Sequence, residues 1–292
     1  MRAPRTAVVT GAGGQLGRAL IAAAPADTQA VGVDRASLDI ADPAALAAAL
    51  DQYRPDLILN AAAYTAVDLA ETRREEAWLG NVSGPRNLAR EAAARGVRLV
   101  HVSTDFVFDG EAGRPYRPDD RPNPTGAYGE SKLAGEQAVL AADPSGLIVR
   151  TSWVYAATGK NFLVTMLRLM RERGSVRVVA DQIGTPTHAA SLARALWAMA
   201  ATDAAGVVHY ADAGTAAWYD FAVAIAEEGV AAGLLDTSPE VEPIATADFP
   251  TPAKRPAYSV LDRASGWALA GRPPHWREEL RAAIADLKDP RP

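Results

Sequence analysis

The stretch TAVVTGAGGQLG, residues 6–17, decides the fold. Its first five residues form a short apolar run, the composition of a strand buried on both faces. Glycines at positions 11, 14 and 17 then break directly into the helical pattern of residues 15–24. Glycine permits the tight strand-to-helix turn, lets backbone approach a pyrophosphate and lets the helix pack close on the strand. The helix N-terminus adds unpaired N–H groups and a positive dipole end. Any tight turn of this kind can use glycine, so context matters. The next strand ends at Asp34, twenty residues beyond Gly14, where an acidic group can accept hydrogen bonds from an adenosine ribose.

Working outward, short apolar runs alternate with longer helical patterns. The expected strands are 6–10, 30–33, 57–59, 99–103 and 147–151. The expected helices are 15–24, 42–53 with Asp42 as N-cap and Pro43 at the first helical position, 83–95 opened by Ser83 and Pro85, and 128–142. This alternation predicts an α/β fold, a Rossmann-type doubly wound parallel sheet covered on both faces. The second half is less regular, with helices at 161–173, after His188 and from 218 to about 232, and strands at 176–179 and 207–209. We expect residues 1–150 to form most of a dinucleotide domain, completed by later segments, and residues 151–292 mainly a smaller α/β substrate-binding domain. Pro- and Gly-rich stretches at 109–127 and 236–256 are too long for simple connections and are candidate substrate loops. No internal repeat is present.

Composition narrows the function. The 292 residues carry 30 Lys and Arg against 35 Asp and Glu, a net charge of −5, which argues against a nucleic-acid surface. No cysteine occurs, so disulfides, a thiolate nucleophile and cysteine-ligated metals are excluded, and nothing points to an oxidising compartment. Arg2 and Arg5 precede Ala7, Val8 and Val9, too short a run for a signal peptide, and no window approaches the ~20 apolar residues of a membrane span. The expectation is a cytoplasmic protein that starts directly with a strand and has no membrane partner.

Chemistry must then come from oxygen and nitrogen groups or a borrowed cofactor. Asp34 would accept from a ribose 2′-hydroxyl and repel a 2′-phosphate, whereas Arg35 could pair with that phosphate, so NADH and NADPH both remain open. Asp39 and Ile40, just before the next helix, could flank the adenine; an ordinary loop and helix cap reads equally well. Tyr128 and Lys132 stand four apart on a helix and share one face. A phenol titrates near pH 10 and is a poor proton donor or acceptor at neutral pH unless a cation stabilises its anion, which Lys132 could do. Ser103, Thr104 and Asp105 end the fourth strand, at the carboxyl edge where such sheets bind ligands. A hydroxyl there, beside a helix-borne tyrosine and a nicotinamide, is the set needed to polarise a carbonyl during hydride delivery.

With these residues in place the chain resembles the extended short-chain dehydrogenase/reductases, and among them closely the dTDP-4-dehydrorhamnose reductase family. The resemblance is carried by TGAGGQLG (10–17), LDIADPAAL (38–46), RPDLILNAAAYTAVDLAE (54–71), VHVSTDFVFDG (100–110), PTGAYGESKLAGE (124–136), RTSWVYAATGKNF (150–162), DQIGTPT (181–187) and FPTPAKRPAYSVLD (249–262). It implies NAD(P)H-dependent reduction of the C4 ketone of dTDP-4-dehydro-L-rhamnose. It also implies that Tyr128 protonates the C4 oxygen, that Lys132 holds the nicotinamide ribose and lowers the phenol pKa, and that Thr104 positions the ketone. Cofactor contacts are implied for Gly14, Gln15, Leu16, Asp34, Asp39, Ile40, Ala63, Tyr64, Thr65 and Val102, and substrate contacts for Thr104, Asp105 and Trp153.

The residues themselves add to this list. Gly11, Gly17, Arg35 and Ala62 join the expected cofactor set, since Asn60 to Ala63 end the third strand with small residues that admit a cofactor. Trp153 could stack on a sugar or base, or be core; Arg255, amid prolines, could pair with a diphosphate or be solvated. Phe106 stands where the family pattern has tyrosine, removing a hydroxyl. Some members are described as dimers bridged by Mg²⁺ through two glutamates; Ala19 and Ala190 occupy those positions here, and His101, His188, His209 and His275 lack ligand spacing. We therefore expect no metal, and a monomer or weak homodimer. Two alternatives stand beside this reading: reduction of another NDP-4-keto-6-deoxysugar, and a non-catalytic nucleotide-binding regulatory subunit, against which intact Thr104, Tyr128 and Lys132 argue.

Overall fold

The computed structural model describes residues 6–288; Arg2 and Arg5 lie outside them. The first half runs β1 (Thr6–Thr10), α1 (Gln15–Ala22), β2 (Gln29–Val33), α2 (Pro43–Tyr53), β3 (Leu57–Asn60), α3 (Val67–Ala70), α4 (Arg74–Trp78), α5 (Gly84–Arg95), β4 (Arg98–Thr104), α6 (Ala127–Ala142) and β5 (Leu147–Thr151). There follow β6 (Val154–Tyr155), α7 (Phe162–Arg173), β7 (Ser175–Val179), β8 (Ile183–Gly184), β9 (Thr187–His188), α8 (Ala189–Ala200) and β10 (Gly206–His209). The chain closes with β11 (Ala216–Ala217), α9 (Trp218–Ala231), β12 (Glu240–Ile244), α10 (Ala264–Ala270) and α11 (Trp276–Lys288).

Six strands form one all-parallel sheet in the order β2-β1-β3-β4-β5-β10, so the doubly wound α/β fold expected from the sequence is the fold observed. Period-two alternation buries both faces. Ala7, Val9, Leu57, Leu59, Leu147 and Val149 pack against Leu16 and Leu20 of α1 and Leu192 and Leu196 of α8. The intervening Val8, Ile58 and Ile148 pack against Leu46 and Leu50 of α2, Leu88 of α5 and Val139 of α6. Each such leucine removed from water contributes about 2 kcal/mol. The sixth strand, β10, comes from the second half of the chain. A separate apolar cluster joins α7, α9 and α11 through Leu163, Met166, Phe221, Ile225, Trp276 and Leu280. No described helix is long and apolar enough to cross a membrane.

Asp42 caps α2 as expected, accepting from the N–H groups of Ala44 and Ala45 at 2.9 and 3.1 Å. Two expectations fail. Ser83 does not open a helix: its backbone is helical, and α4 runs through a π-helical turn, Leu79–Ser83, straight into α5. Pro85, lacking an N–H, falls just where the hydrogen-bond ladder shifts register, so a proline mistaken for a start signal marks a π turn inside a longer helix. The stretch 236–256 is not one irregular loop, because residues 240–244 form β12, pairing in parallel with β7. Pro243 gave the look of a loop, but an edge strand tolerates it.

Candidate active site

In this strand order the connection after β1 runs outward to β2 and the connection after β3 runs the other way to β4, and the resulting crevice at the carboxyl edge is where doubly wound sheets bind ligands. A cleft of about 700 Å³ opens there, lined from the ends of β1, β2, β3, β4 and β5. Gly11 shapes its floor. With φ +69°, and with an added Cβ only 2.7 Å from the Ala62 nitrogen, this position accepts glycine alone. Gly14 opens α1 without a side-chain cap, so first-turn N–H groups remain for a ligand. Gln15 Nε2 donates to the Val154 carbonyl at 2.9 Å, joining α1 to β6.

At the β2 end, Asp34 Oδ1 accepts from Ala36 N, Ser37 N and Ser37 Oγ at 2.9 to 3.1 Å. These bonds, Ser37's above all, hold the carboxyl below its usual range. Arg35 faces Asp39 across 3.9 Å, both well exposed. Ile40 is buried and its carbonyl accepts from Asn87 Nδ2 at 3.2 Å. Beyond β3, the Tyr64 N–H donates to Asn81 Oδ1 at 2.8 Å, and Asn81 Nδ2 donates to the Tyr64 carbonyl at 3.1 Å and to Ser131 Oγ at 2.9 Å. A fully buried asparagine thus fastens the cleft-lining turn at 63–65 to α6.

Glu71 Oε1 accepts from Ala127 N at 2.9 Å and fixes the start of α6. That helix presents Tyr128, Lys132 and Glu136 at successive fourth positions. Lys132 Nζ donates to the Val102 carbonyl at 2.8 Å, and the Glu136 carboxylate accepts from Arg150 Nε and Nη2 at 2.8 and 2.7 Å. Burial lowers the Lys132 pKa to about 8, against the pull of Glu136. Thr104 Oγ1 donates to Asp105 Oδ1 at 3.0 Å and accepts from Phe106 N at 3.2 Å. Burial raises Asp105 to about 6, with the Ser259 and Thr104 hydroxyls opposing.

Tyr128 keeps a partly open ring, yet its crowded surroundings push its pKa up to about 12, reinforced by the Asp105 charge and opposed by a side-chain hydrogen bond with Thr104. The expected lowering by Lys132 is therefore absent. Burial dominates, and the ammonium is directed at the Val102 carbonyl. The phenol is a protonated group across the neutral range.

Where the cleft passes Phe106, Trp153, Trp218 and Arg255, a second cavity of about 280 Å³ begins, lined also by Phe162, Arg177, Phe249 and Ser259. Trp153 is a cleft residue rather than core. Its backbone is left-handed at φ +45°, its ring lies parallel to Trp218 at 3.5 Å, and only a glycine at 184 leaves room for it. Arg255 is half-buried, donating from Nη2 to Asp68 Oδ2 at 2.8 Å and from Nη1 to the Ala253 carbonyl at 3.2 Å.

The structure brings every expected site residue to one cleft: Gly11, Gly14, Gln15, Leu16, Gly17, Asp34, Arg35, Asp39, Ile40, Ala62 to Thr65, Val102, Thr104, Asp105, Tyr128, Lys132, Trp153 and Arg255. The sequence reading missed Asn81, Lys160 and Trp218. Asn81 gives no local signal, and Trp218 looks like an ordinary helix start. Lys160 lies inside a quoted motif but was given no role. The residues present fit a dinucleotide: the uncapped helix end, the glycine floor, and Ser103 Oγ and Thr151 Oγ1, buried in the lining with no hydrogen-bond partner among the described residues. No described group of three or more His, Asp or Glu side chains could hold a metal ion.

The RmlD substrate binding domain family matches residues 5–289. The chain is 46% identical over 288 residues to the dTDP-4-dehydrorhamnose reductase of Mycobacterium tuberculosis, covering 95% of this chain and 92% of the relative. It is 43% identical over 288 residues to a probable dTDP-4,6-dihydroxy-2-methyloxan-3-one 4-ketoreductase of Streptomyces antibioticus, covering 96% and 95%. The crystal structure of dTDP-4-dehydrorhamnose reductase from Bacillus anthracis in complex with NADP superposes with a TM-score of 0.91 at 35% identity, covering 97% of this chain and 99% of that one.

Proposed function

This chain belongs to the RmlD substrate binding domain family, and from that premise we propose that it reduces the C4 ketone of dTDP-4-dehydro-L-rhamnose to dTDP-L-rhamnose, using NADPH or NADH. The observation that carries the reading is that Tyr128, Thr104 and Lys132 all line the dinucleotide cleft, with Tyr128 edge-on at 5.5 Å to Phe106, which the cleft shares with the aromatic second cavity. The reduced nicotinamide, when bound, supplies the hydride.

This chain's residues do the rest. Tyr128, with a pKa of about 12, enters the reaction protonated at neutral pH. Hydride arrival at C4 turns the carbonyl oxygen into an alkoxide, a far stronger base than a phenolate, so the Tyr128 proton moves downhill to it. Thr104, in the cleft lining with the phenol, aligns the ketone beside it. Lys132, largely charged at neutral pH and anchored by the Val102 carbonyl, holds the nicotinamide ribose. Gly11 to Gly17 receive the cofactor diphosphate, Asp34 or Arg35 the adenosine ribose, and Asp39, Ile40, Ala62 to Thr65 and Val102 the rings and sugars between. The second cavity takes the nucleotide of the substrate, with Trp153 and Asp105 contacting the sugar and Arg255 meeting its diphosphate. In this reading residues 1–150 serve mainly the cofactor and 151–292 mainly the nucleotide sugar.

The Streptomyces antibioticus relative favours a second reading, reduction of a different dTDP-4-ketosugar in the same cleft. A steady-state assay of NADPH and NADH oxidation with dTDP-4-dehydro-L-rhamnose, with the product identified, separates them. We expect dTDP-L-rhamnose. No oxidation, or a product of opposite C4 configuration, overturns the assignment.

A further inference from the structure

Four cationic side chains line the cleft: Arg35, Lys132, Lys160 and Arg255. Three are engaged. Arg35 faces Asp39 at 3.9 Å, Lys132 donates to the Val102 carbonyl at 2.8 Å, and Arg255 donates to Asp68 at 2.8 Å. Lys160 alone has no hydrogen-bond or ion-pair partner among the described residues.

Its position is nonetheless fixed from both sides. Lys160 ends the loop between β6 and α7, and the next residue, Asn161, ties that loop together. Asn161 Nδ2 donates to the carbonyls of Ala156 and Thr158 at 2.9 and 3.1 Å, while its Oδ1 accepts from Val164 N at 3.1 Å and caps α7. The same amide reaches Gln15 Oε1 at 3.4 Å, and Gln15 Nε2 donates to the Val154 carbonyl at 2.9 Å. The loop is thereby fastened to the first residue of α1, the helix that opens on the glycine turn.

Charge supplies the rest of the argument. A dinucleotide diphosphate brings two negative charges, whereas a helix N-terminus offers only about half a positive one. Residues 10–17 contain no cation to make up the difference. We propose that Lys160 reaches across the N-terminus of α1 and neutralises the cofactor diphosphate, a clasp from the second half of the chain onto the cofactor. The inference rests on the dinucleotide reading above. Lys160 lies on the β5 and β6 side of α1, whereas Asp34 and Arg35 follow β2 at the far edge of the sheet. It therefore serves NADH and NADPH alike and leaves the adenosine 2′-phosphate to others.

Dissociation constants for NADPH, NADH and dTDP, measured by calorimetry on the full chain, test this with Lys160→Gln and Lys160→Arg. Position 160 is exposed, and circular dichroism checks that both variants fold. Lys160→Gln should weaken both cofactors by about tenfold, less at raised salt, and leave dTDP unchanged; Lys160→Arg should retain most of the affinity. Unchanged cofactor affinity, a loss confined to NADPH, or a loss on dTDP overturns the proposal while the dinucleotide reading stands. If the unsubstituted chain binds neither cofactor, that reading falls and takes the proposal with it.

Discussion

The two ends of the cleft use the same polar residue types under opposite conditions. At the β2 end, the Arg35 and Asp39 side chains are 78% and 47% exposed, and Asp34 sits in a turn whose Ser37 hydroxyl and N–H groups keep it ionised. At the β4 and α6 end, Asp105, Lys132 and Glu136 are each only 2% exposed. There burial drives Asp105 up to about 6 and Lys132 down to about 8, so groups far apart in water approach neutrality from both sides. Solvent screening makes the first end a place for mild discrimination between ligands. Dehydration makes the second a place where protons move, and it destabilises the fold to do so.

The largest expected effect is chemical. Tyr128→Phe should cut turnover by about a thousandfold while leaving the cofactor dissociation constant unchanged, because the phenol's proton is needed only after the ligands are in place. Steady-state rates and calorimetry together check this; near-normal turnover would place the proton donor elsewhere. Next comes the ion pair behind Lys132. Glu136→Gln strands the Arg150 guanidinium in a dry interior and should lower unfolding free energy by about 3 kcal/mol in a denaturant titration. At the other end, Asp39→Asn should leave the denaturant midpoint nearly unmoved, and equal losses would erase the contrast.

Asp105 makes the contrast a function of pH. Its folded pKa, about 6, lies above its ordinary value of 3.8, so the folded chain holds that proton more tightly than the unfolded one. The cost of the buried charge is therefore present above about pH 6 and disappears as pH falls through the carboxyl's ordinary value. Asp105→Asn should raise stability by up to about 3 kcal/mol near pH 8 and by almost nothing near pH 4. A gain independent of pH would show that charge burial is not its source. The smallest effect belongs to the exposed end. Asp34→Ala should weaken NADH and strengthen NADPH, shifting the ratio of their affinities by less than about tenfold. A shift of several hundredfold would mean that this end acts as the buried one does.

The same division governs how much the sequence revealed. Both faces of the sheet were legible, because Val8 between Ala7 and Val9, and Ile58 between Leu57 and Leu59, write a buried parallel strand in a few letters. The residues around the glycine turn and the Tyr128 to Lys132 spacing were legible for the same reason: local geometry sets them. What local pattern does not encode was missed or misread. The Asn81 bridge depends on a contact between segments fifty residues apart. Pro85 looked like a helix start and Pro243 fell within an expected loop, and the packing around them carries a π turn and an edge strand through. The direction of the Tyr128 pKa shift was misjudged because i,i+4 spacing shows a nearby cation but not the depth of burial. Lys160 needed the fold before its lack of a partner meant anything.

The most direct test of the whole account follows the hydrogen. With NADPH or NADH carrying deuterium at the transferable position of the nicotinamide, turnover of dTDP-4-dehydro-L-rhamnose should place that deuterium on C4 of the sugar product, as read by mass spectrometry and NMR. A product free of label, or label at another carbon, would contradict direct hydride delivery at this cleft.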